Sequence, residues 1–137
     1  MLYTDTRCVE HIDTDASGVV HFSRYAIFFE TVFLNFIRKH SHQPMDEENL
    51  IHSLRVTELQ MNFIAPSVFA EVLQIEMLLV KMRQVTFELG FILYADNTEV
   101  QRNKAQMTFC YVGKNNKPAR IPEFISKILG EVNVCPA

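Results

Sequence analysis

Residues 24–40 read RYAIFFETVFLNFIRKH, and this stretch decides the fold. On a period of 3.6 residues, Arg24, Thr31, Asn35 and Arg38 share one narrow polar stripe, while Tyr25, Ile27, Phe28, Phe29, Val32, Phe33, Leu34, Phe36 and Ile37 cover most of the remaining circumference. A helix this apolar has to be wrapped by other structure on most sides. Ser23 precedes it in the manner of an N-cap. The polar block Ser41 to Asn49, with Pro44 inside it, reads as the loop that ends it.

Downstream the period changes from 3.6 to 2. Leu59, Met61 and Phe63 alternate with Glu58, Gln60 and Asn62 until Ala65-Pro66-Ser67 interrupts the run, and Leu73, Ile75, Met77 and Leu79 alternate with Gln74 and Glu76. A third alternation, Val85, Phe87, Leu89, Phe91 and Leu93, ends at Asp96-Asn97-Thr98. A fourth, Ala105, Met107, Phe109 and Tyr111, ends at Gly113-Lys114-Asn115-Asn116. Tyr3 to Glu10 reads as a short extended start, and Pro122 to Gly130 as a short helix with Pro in its first turn and Gly at its end. Four consecutive strands joined by tight turns predict an antiparallel sheet with one apolar face, and the 24–40 helix is the element able to cover it. The fold class is therefore α+β, a curved antiparallel sheet around a central helix. At 137 residues the chain suits a single domain, residues 1–137, with no linker dividing it.

Composition excludes several functions. The 13 Lys and Arg are scattered through a chain of net charge −3, so no basic stripe exists for nucleic acid. Apolar runs such as Ala26 to Phe29 and Met77 to Val80 are far shorter than a membrane span, and Met1 to Asp5 lacks a basic flank followed by an apolar block. No membrane insertion and a cytoplasmic location are the expectations. Cys8, Cys110 and Cys135 are odd in number and widely spaced, which fits free thiols in a reducing compartment, with Cys110 as a small core residue. His40-Ser41-His42 is an i, i+2 pair that does not share a helix face and has no third ligand nearby in sequence, so no metal site is expected.

The segment richest in chemistry is HIDTDASGVVHFSRY, residues 11–25. A carboxylate, Asp15, lies just before a glycine turn that leads into a helix start, where the first backbone N–H groups are unpaired and carry partial positive charge. Such amides can hold an oxyanion. A thioester carbonyl resting on them would become more electrophilic, and Asp15 could attack it or deprotonate an attacking water. An Asp before a helix is also a common cap or turn residue. Asp13, two residues earlier, reads as a turn or structural acid, with a paired-carboxylate arrangement as the alternative.

The run D-T-D-x-x-G-V-V, followed by Phe22 and Tyr25 on an aromatic-rich helix, resembles the signature of hot-dog-fold thioesterases of the 4-hydroxybenzoyl-CoA type and of the related Tol-Pal-associated acyl-CoA thioesterases. The resemblance extends from about Tyr3 to Gly113. It implies a hot-dog fold and hydrolysis of an acyl thioester. Asp15 matches the nucleophile or general base, the backbone N–H of Phe22 the group that polarises the carbonyl, and Gly18 the glycine that permits the turn. His11, Val20, His21 and Tyr25 fall beside the bound substrate, although Tyr25 also reads as ordinary core. Tol-Pal-associated members carry histidine where this chain has Phe22 and tyrosine where it has His11, so neither His11 nor His21 is assigned proton transfer.

Lys81 and Arg83 lie at a strand junction where the resembling enzymes place basic side chains that meet the phosphates of coenzyme A. Phe28, Phe29, Met61 and Phe63 are candidates for shaping the acyl pocket. The resemblance implies an acyl-CoA or acyl-carrier-protein substrate, no cofactor beyond the coenzyme A or phosphopantetheine of that substrate, and a homodimer or homotetramer. Two rivals remain: a non-catalytic acyl-thioester-binding protein, and a hot-dog hydratase or dehydratase, against which the missing Asp-x-Asn-Pro-x-His pattern counts.

Overall fold

The computed structural model describes residues 3–40 and 52–130. Five strands form one antiparallel sheet: β1 (Tyr3–Cys8), β2 (Leu54–Phe63), β3 (Val72–Met82), β4 (Thr86–Ala95) and β5 (Gln101–Tyr111). Their order is β1-β3-β4-β5-β2. The long helix α1 (Phe22–His40) lies against this sheet, and a short helix α2 (Glu123–Leu129) follows it, with Pro122 and Gly130 at its ends. This is the hot-dog architecture.

Aromatic packing shows how the helix is held. Phe29 stacks on Phe91 of β4 at 5.0 Å, Phe33 meets Phe109 of β5 at 4.9 Å and Phe87 of β4 at 5.7 Å, and Phe36 takes the edge of Tyr3 on β1 at 5.2 Å. Toward the helix start, Tyr25 packs edge-on against Phe63 of β2 at 5.8 Å. One helix thus touches the central strands and both edges of the sheet. Phe28, Phe29, Phe33 and Phe36 are all sealed from solvent, each contributing about 2 kcal/mol through burial.

Three expectations need correction. The helix begins at Phe22, two residues earlier than the apolar run suggests, and Ser23 lies inside it. His21 is the cap instead: its Nδ1 accepts the Ser23 N–H at 3.2 Å, satisfying one of the donors that a helix start leaves open. Second, β2 and β3 are consecutive but not neighbours, because β2 pairs with β5 at the far edge. Residues 64–71 therefore cross from that edge to β3, passing the helix start, where Val20 N–H donates to Ser67 C=O at 2.8 Å. Third, the helix is not wrapped on most sides within one chain. Ile27 is exposed and Leu34 half-buried, and on β2 Val56, Leu59 and Phe63 are exposed along an edge that has no further strand among the described residues.

Among the described residues no helix is long and apolar enough to cross a membrane. Cys110 is buried, as its place in the alternation predicts, and Cys8 is exposed. Residues 41 and 42 of the His-Ser-His run lie outside the described residues, as does Cys135.

Candidate active site

Residues 13–21 form a tight hairpin between a 3-10 turn (His11–Asp13) and α1. His21 N–H donates to Asp13 C=O at 2.8 Å, Asp15 N–H donates to Val19 C=O at 2.8 Å, and Thr14 bridges Val20. The reversal is a β-turn closed by Gly18 N–H to Asp15 C=O at 3.1 Å. Gly18 takes φ of +82°, a left-handed conformation that favours glycine, as the sequence position predicts. Asp15 is exposed at the first position of that turn, and its Oδ1 accepts the Ser17 N–H at 2.7 Å. It therefore does the work of a turn residue, whatever else it does.

Asp13 has a different fate. It is fully buried, its Oδ2 accepting the Glu10 N–H at 2.8 Å and an Arg7 guanidinium at 3.0 Å, its Oδ1 accepting Arg24 Nε at 3.0 Å. Burial pushes the Asp13 carboxyl up, but the Glu10 amide and the Arg7 and Arg24 guanidinium groups outweigh it and hold the acid below its ordinary 3.8. Arg24 belongs to this cluster, so it ties the first turn of α1 to the hairpin instead of simply facing water. Asp13 is structural, and the paired-carboxylate alternative does not fit its geometry.

The start of α1 is open on one side. Arg24 N–H is satisfied by His21 C=O and Ser23 N–H by the His21 ring, whereas Phe22 N–H has no partner among the described residues. The Ser23 hydroxyl lies 2.8 Å from the same ring nitrogen. The His21 ring also lies tilted against Phe22 at 4.4 Å. These contacts fix the imidazole as a cap.

At the helix start a cavity of about 270 Å³ is lined by Val20, Phe22, Tyr25, Phe63, Ile64, Ala65 and Pro66. Three sequence candidates, Val20, Phe22 and Tyr25, are thus brought together. The wall from Ile64 to Pro66, which sequence reasoning missed, is built by the crossover and braced by Arg102: its guanidinium reaches Glu71 Oε1 at 2.6 Å and Pro66 C=O at 3.3 Å. The Arg102 hydrogen bond holds Glu71 below its ordinary 4.5. The Ala65-Pro66-Ser67 interruption was the available signal.

Other candidates lie elsewhere. Asp15 is not among the lining residues of the cavity in one chain. His11 is exposed on the 3-10 turn, its ring edge-on to Phe69 at 6.2 Å. Phe28 and Phe29 are core, Met61 is half-buried, and only Phe63 of the four proposed pocket-shaping residues lines the cavity. Lys81 and Arg83 sit at the β3–β4 hairpin, with Arg83 paired to Glu88 at 3.4 Å. The length of β3, about 30 Å at ~3.3 Å per residue, separates them from the end of the sheet that carries the hairpin of Asp15. One chain does not bring these cations to the helix start.

Known proteins place the chain in a family. Residues 9–129 match the thioesterase-like superfamily, which covers most of the sequence. The chain belongs to the thioesterase-like superfamily. Within the range of that superfamily it is similar to a putative esterase from Aquifex aeolicus, 25% identical over 123 residues, covering 90% of this chain and 94% of that protein. It is also similar to a 1,4-dihydroxy-2-naphthoyl-CoA hydrolase from Gloeothece citriformis, 23% identical over 137 residues, covering 93% and 91% of the two chains. Among solved structures, a 1,4-dihydroxy-2-naphthoyl-CoA thioesterase from Synechocystis superposes with a TM-score of 0.85 over 96% of this chain and 97% of that one. At 16% identity that likeness shows the fold.

Proposed function

We propose that this protein hydrolyses an acyl-CoA thioester at the start of α1. The carrying observation is the unpartnered N–H, at the helix start, of Phe22, a residue that also lines an aromatic-walled cavity and is joined by a short hairpin to the exposed Asp15 carboxylate. The acyl group enters the cavity and its carbonyl oxygen accepts the Phe22 N–H, where the helix dipole favours developing negative charge. Asp15 then follows one of two routes: it attacks the carbonyl carbon, the C–S bond breaks to release the thiolate, and water hydrolyses the resulting acyl-aspartyl anhydride; or it takes a proton from an attacking water, the tetrahedral adduct collapses with cleavage of the C–S bond, and the leaving thiolate takes up that proton. Either route gives free acid and coenzyme A. The named activities of the similar Gloeothece and Synechocystis proteins support coenzyme A as the carrier; a carrier-protein thioester shares the same reacting group.

The site as described in one chain is incomplete, because Asp15 does not reach the cavity wall. The open β2 edge and the exposed Val56, Leu59, Phe63 and Ile27 suit a second copy, so a homodimer or homotetramer is part of the proposal. Lys81 and Arg83 meet the substrate phosphates only if a neighbouring copy supplies them.

One observation favours a second reading. The Asp15 Oδ1 is occupied by the Ser17 amide, as in a turn that has no catalytic duty, and a binding protein needs nothing more. Thiol release from a panel of acyl-CoA and acyl-carrier-protein thioesters separates the two. The enzyme reading predicts turnover of at least one CoA ester, lost in Asp15→Asn with ligand affinity retained. Absence of turnover across the panel, with tight binding, supports the binding protein.

A further inference from the structure

We propose that the Tyr25 hydroxyl is a second donor to the thioester carbonyl oxygen, a catalytic residue acting with the Phe22 amide; the inference rests on the acyl-thioester reading of the cavity. Tyr25 stands one turn into α1, and only 3% of it is exposed. Its hydroxyl has no hydrogen-bond partner among the described residues. A buried hydroxyl left in that state is costly unless water or a ligand reaches it. The unpaired polar atoms sealed inside the described part of the protein belong to Tyr3, Arg7 and Asn103, and the Tyr25 oxygen is not among them. That oxygen therefore meets open space, and the open space at Tyr25 is the helix-start cavity that the residue lines.

Two rings hold the phenol in place. Tyr25 meets Phe28 at 5.9 Å and Phe63 at 5.8 Å, with the ring planes crossed by 69° and 70°. Phe28 is sealed in the core, so the phenol is backed by packed structure on that side. Long side chains on a helix lean back toward its N-terminus, which carries the hydroxyl toward the turn that begins with Phe22. Accordingly, Phe22 and Tyr25 line the same cavity.

The rest of the lining identifies the acceptor. Val20, Phe22, Phe63, Ile64, Ala65 and Pro66 bring apolar side chains, so the Tyr25 hydroxyl is the one side-chain hydrogen-bond donor on this wall. A ligand that fills the cavity expels water from that oxygen, and the hydroxyl then needs an acceptor on the ligand. Acyl groups differ in their substituents, but every thioester brings a carbonyl oxygen. As the carbonyl carbon becomes tetrahedral, charge gathers on that oxygen and a donor already in place holds it more strongly. Tyr25 donates its hydrogen bond without giving up the proton, so the bonds made and broken in either hydrolytic route are unchanged.

Tyr25→Phe removes one oxygen and keeps the packing of the ring. It should lower kcat for the best acyl-CoA substrate about 100-fold, with KM within about 3-fold and the thermal midpoint unchanged. Packing alone would not move a second readout, the infrared band of a carbon-13 carbonyl in benzoyl-CoA or hexanoyl-CoA, whichever binds Asp15→Asn more tightly. In that complex the band should lie below its frequency in water, and adding Tyr25→Phe should return part of the downshift. A rate loss confined to KM, or a carbonyl band indifferent to Tyr25→Phe, overturns the inference. Thioester hydrolysis by the wild type together with an indifferent band sinks the inference alone. A band that depends on Tyr25, with no hydrolysis of any thioester, sinks only the catalytic reading and leaves the contact with the carbonyl standing.

Discussion

Asp13 and Asp15 are separated by one residue, yet the chain treats them as opposites. The first is closed off from water and bound by a backbone amide and two guanidinium groups; the second is open to water and bound by one turn amide. The difference follows from the hairpin. Its base is pinned to β1 through Arg7 and to α1 through Arg24, while its tip is held by Gly18 and the Asp15 turn. A charge at the base can be paired from two elements at once, and it holds the scaffold together. A charge at the tip is left open to water, paired by a single turn amide.

The largest effect that sharpens this contrast is on rate. Asp15→Asn keeps the turn acceptor and should leave the thermal midpoint nearly unchanged, while kcat/KM for the best acyl-CoA substrate falls about 10³-fold, or about 4 kcal/mol. Comparable losses of stability and activity would break the comparison. Asp13→Ala should act the other way, costing about 3 kcal/mol in urea unfolding because Arg7 and Arg24, each about three-quarters buried, are left without their shared anion.

Acid should expose the same asymmetry. Asp13 is held below its ordinary 3.8 in the folded state, so its contribution is fully present above that value and is lost as pH falls below it. Glu71, held below its ordinary 4.5 by Arg102, adds to the same loss. Wild-type stability should therefore drop steeply on acidification below about pH 4, and Asp13→Asn should flatten that slope by the share of one carboxylate. The smallest effect is at the tip. Gly18→Ala meets no atom within 4 Å but must hold φ near +82°, a conformational cost of about 1 kcal/mol measurable by thermal unfolding.

The α+β class, the antiparallel sheet and the Gly18 turn were legible in the sequence because each is written in local periodicity or in a single backbone requirement. The place of β2 at the far edge was not, since alternation along a strand says nothing about which strand it joins. That one non-local fact also hid the Ile64 to Pro66 wall. His21 escaped notice as a cap because imidazole is outside the usual capping set, and its ring needed Ser23 beside it in space. Lys81 and Arg83 were placed by likeness, and strand length carries them to the other end of the sheet.

Whether the helix start receives the reacting carbonyl can be seen directly in a crystal structure of Asp15→Asn soaked with an intact acyl-CoA thioester. The account predicts the thioester oxygen about 2.9 Å from the Phe22 nitrogen, with the residue 15 side chain within reach of the adjacent carbon. A Phe22 amide bonded only to water, with the thioester held elsewhere, contradicts it.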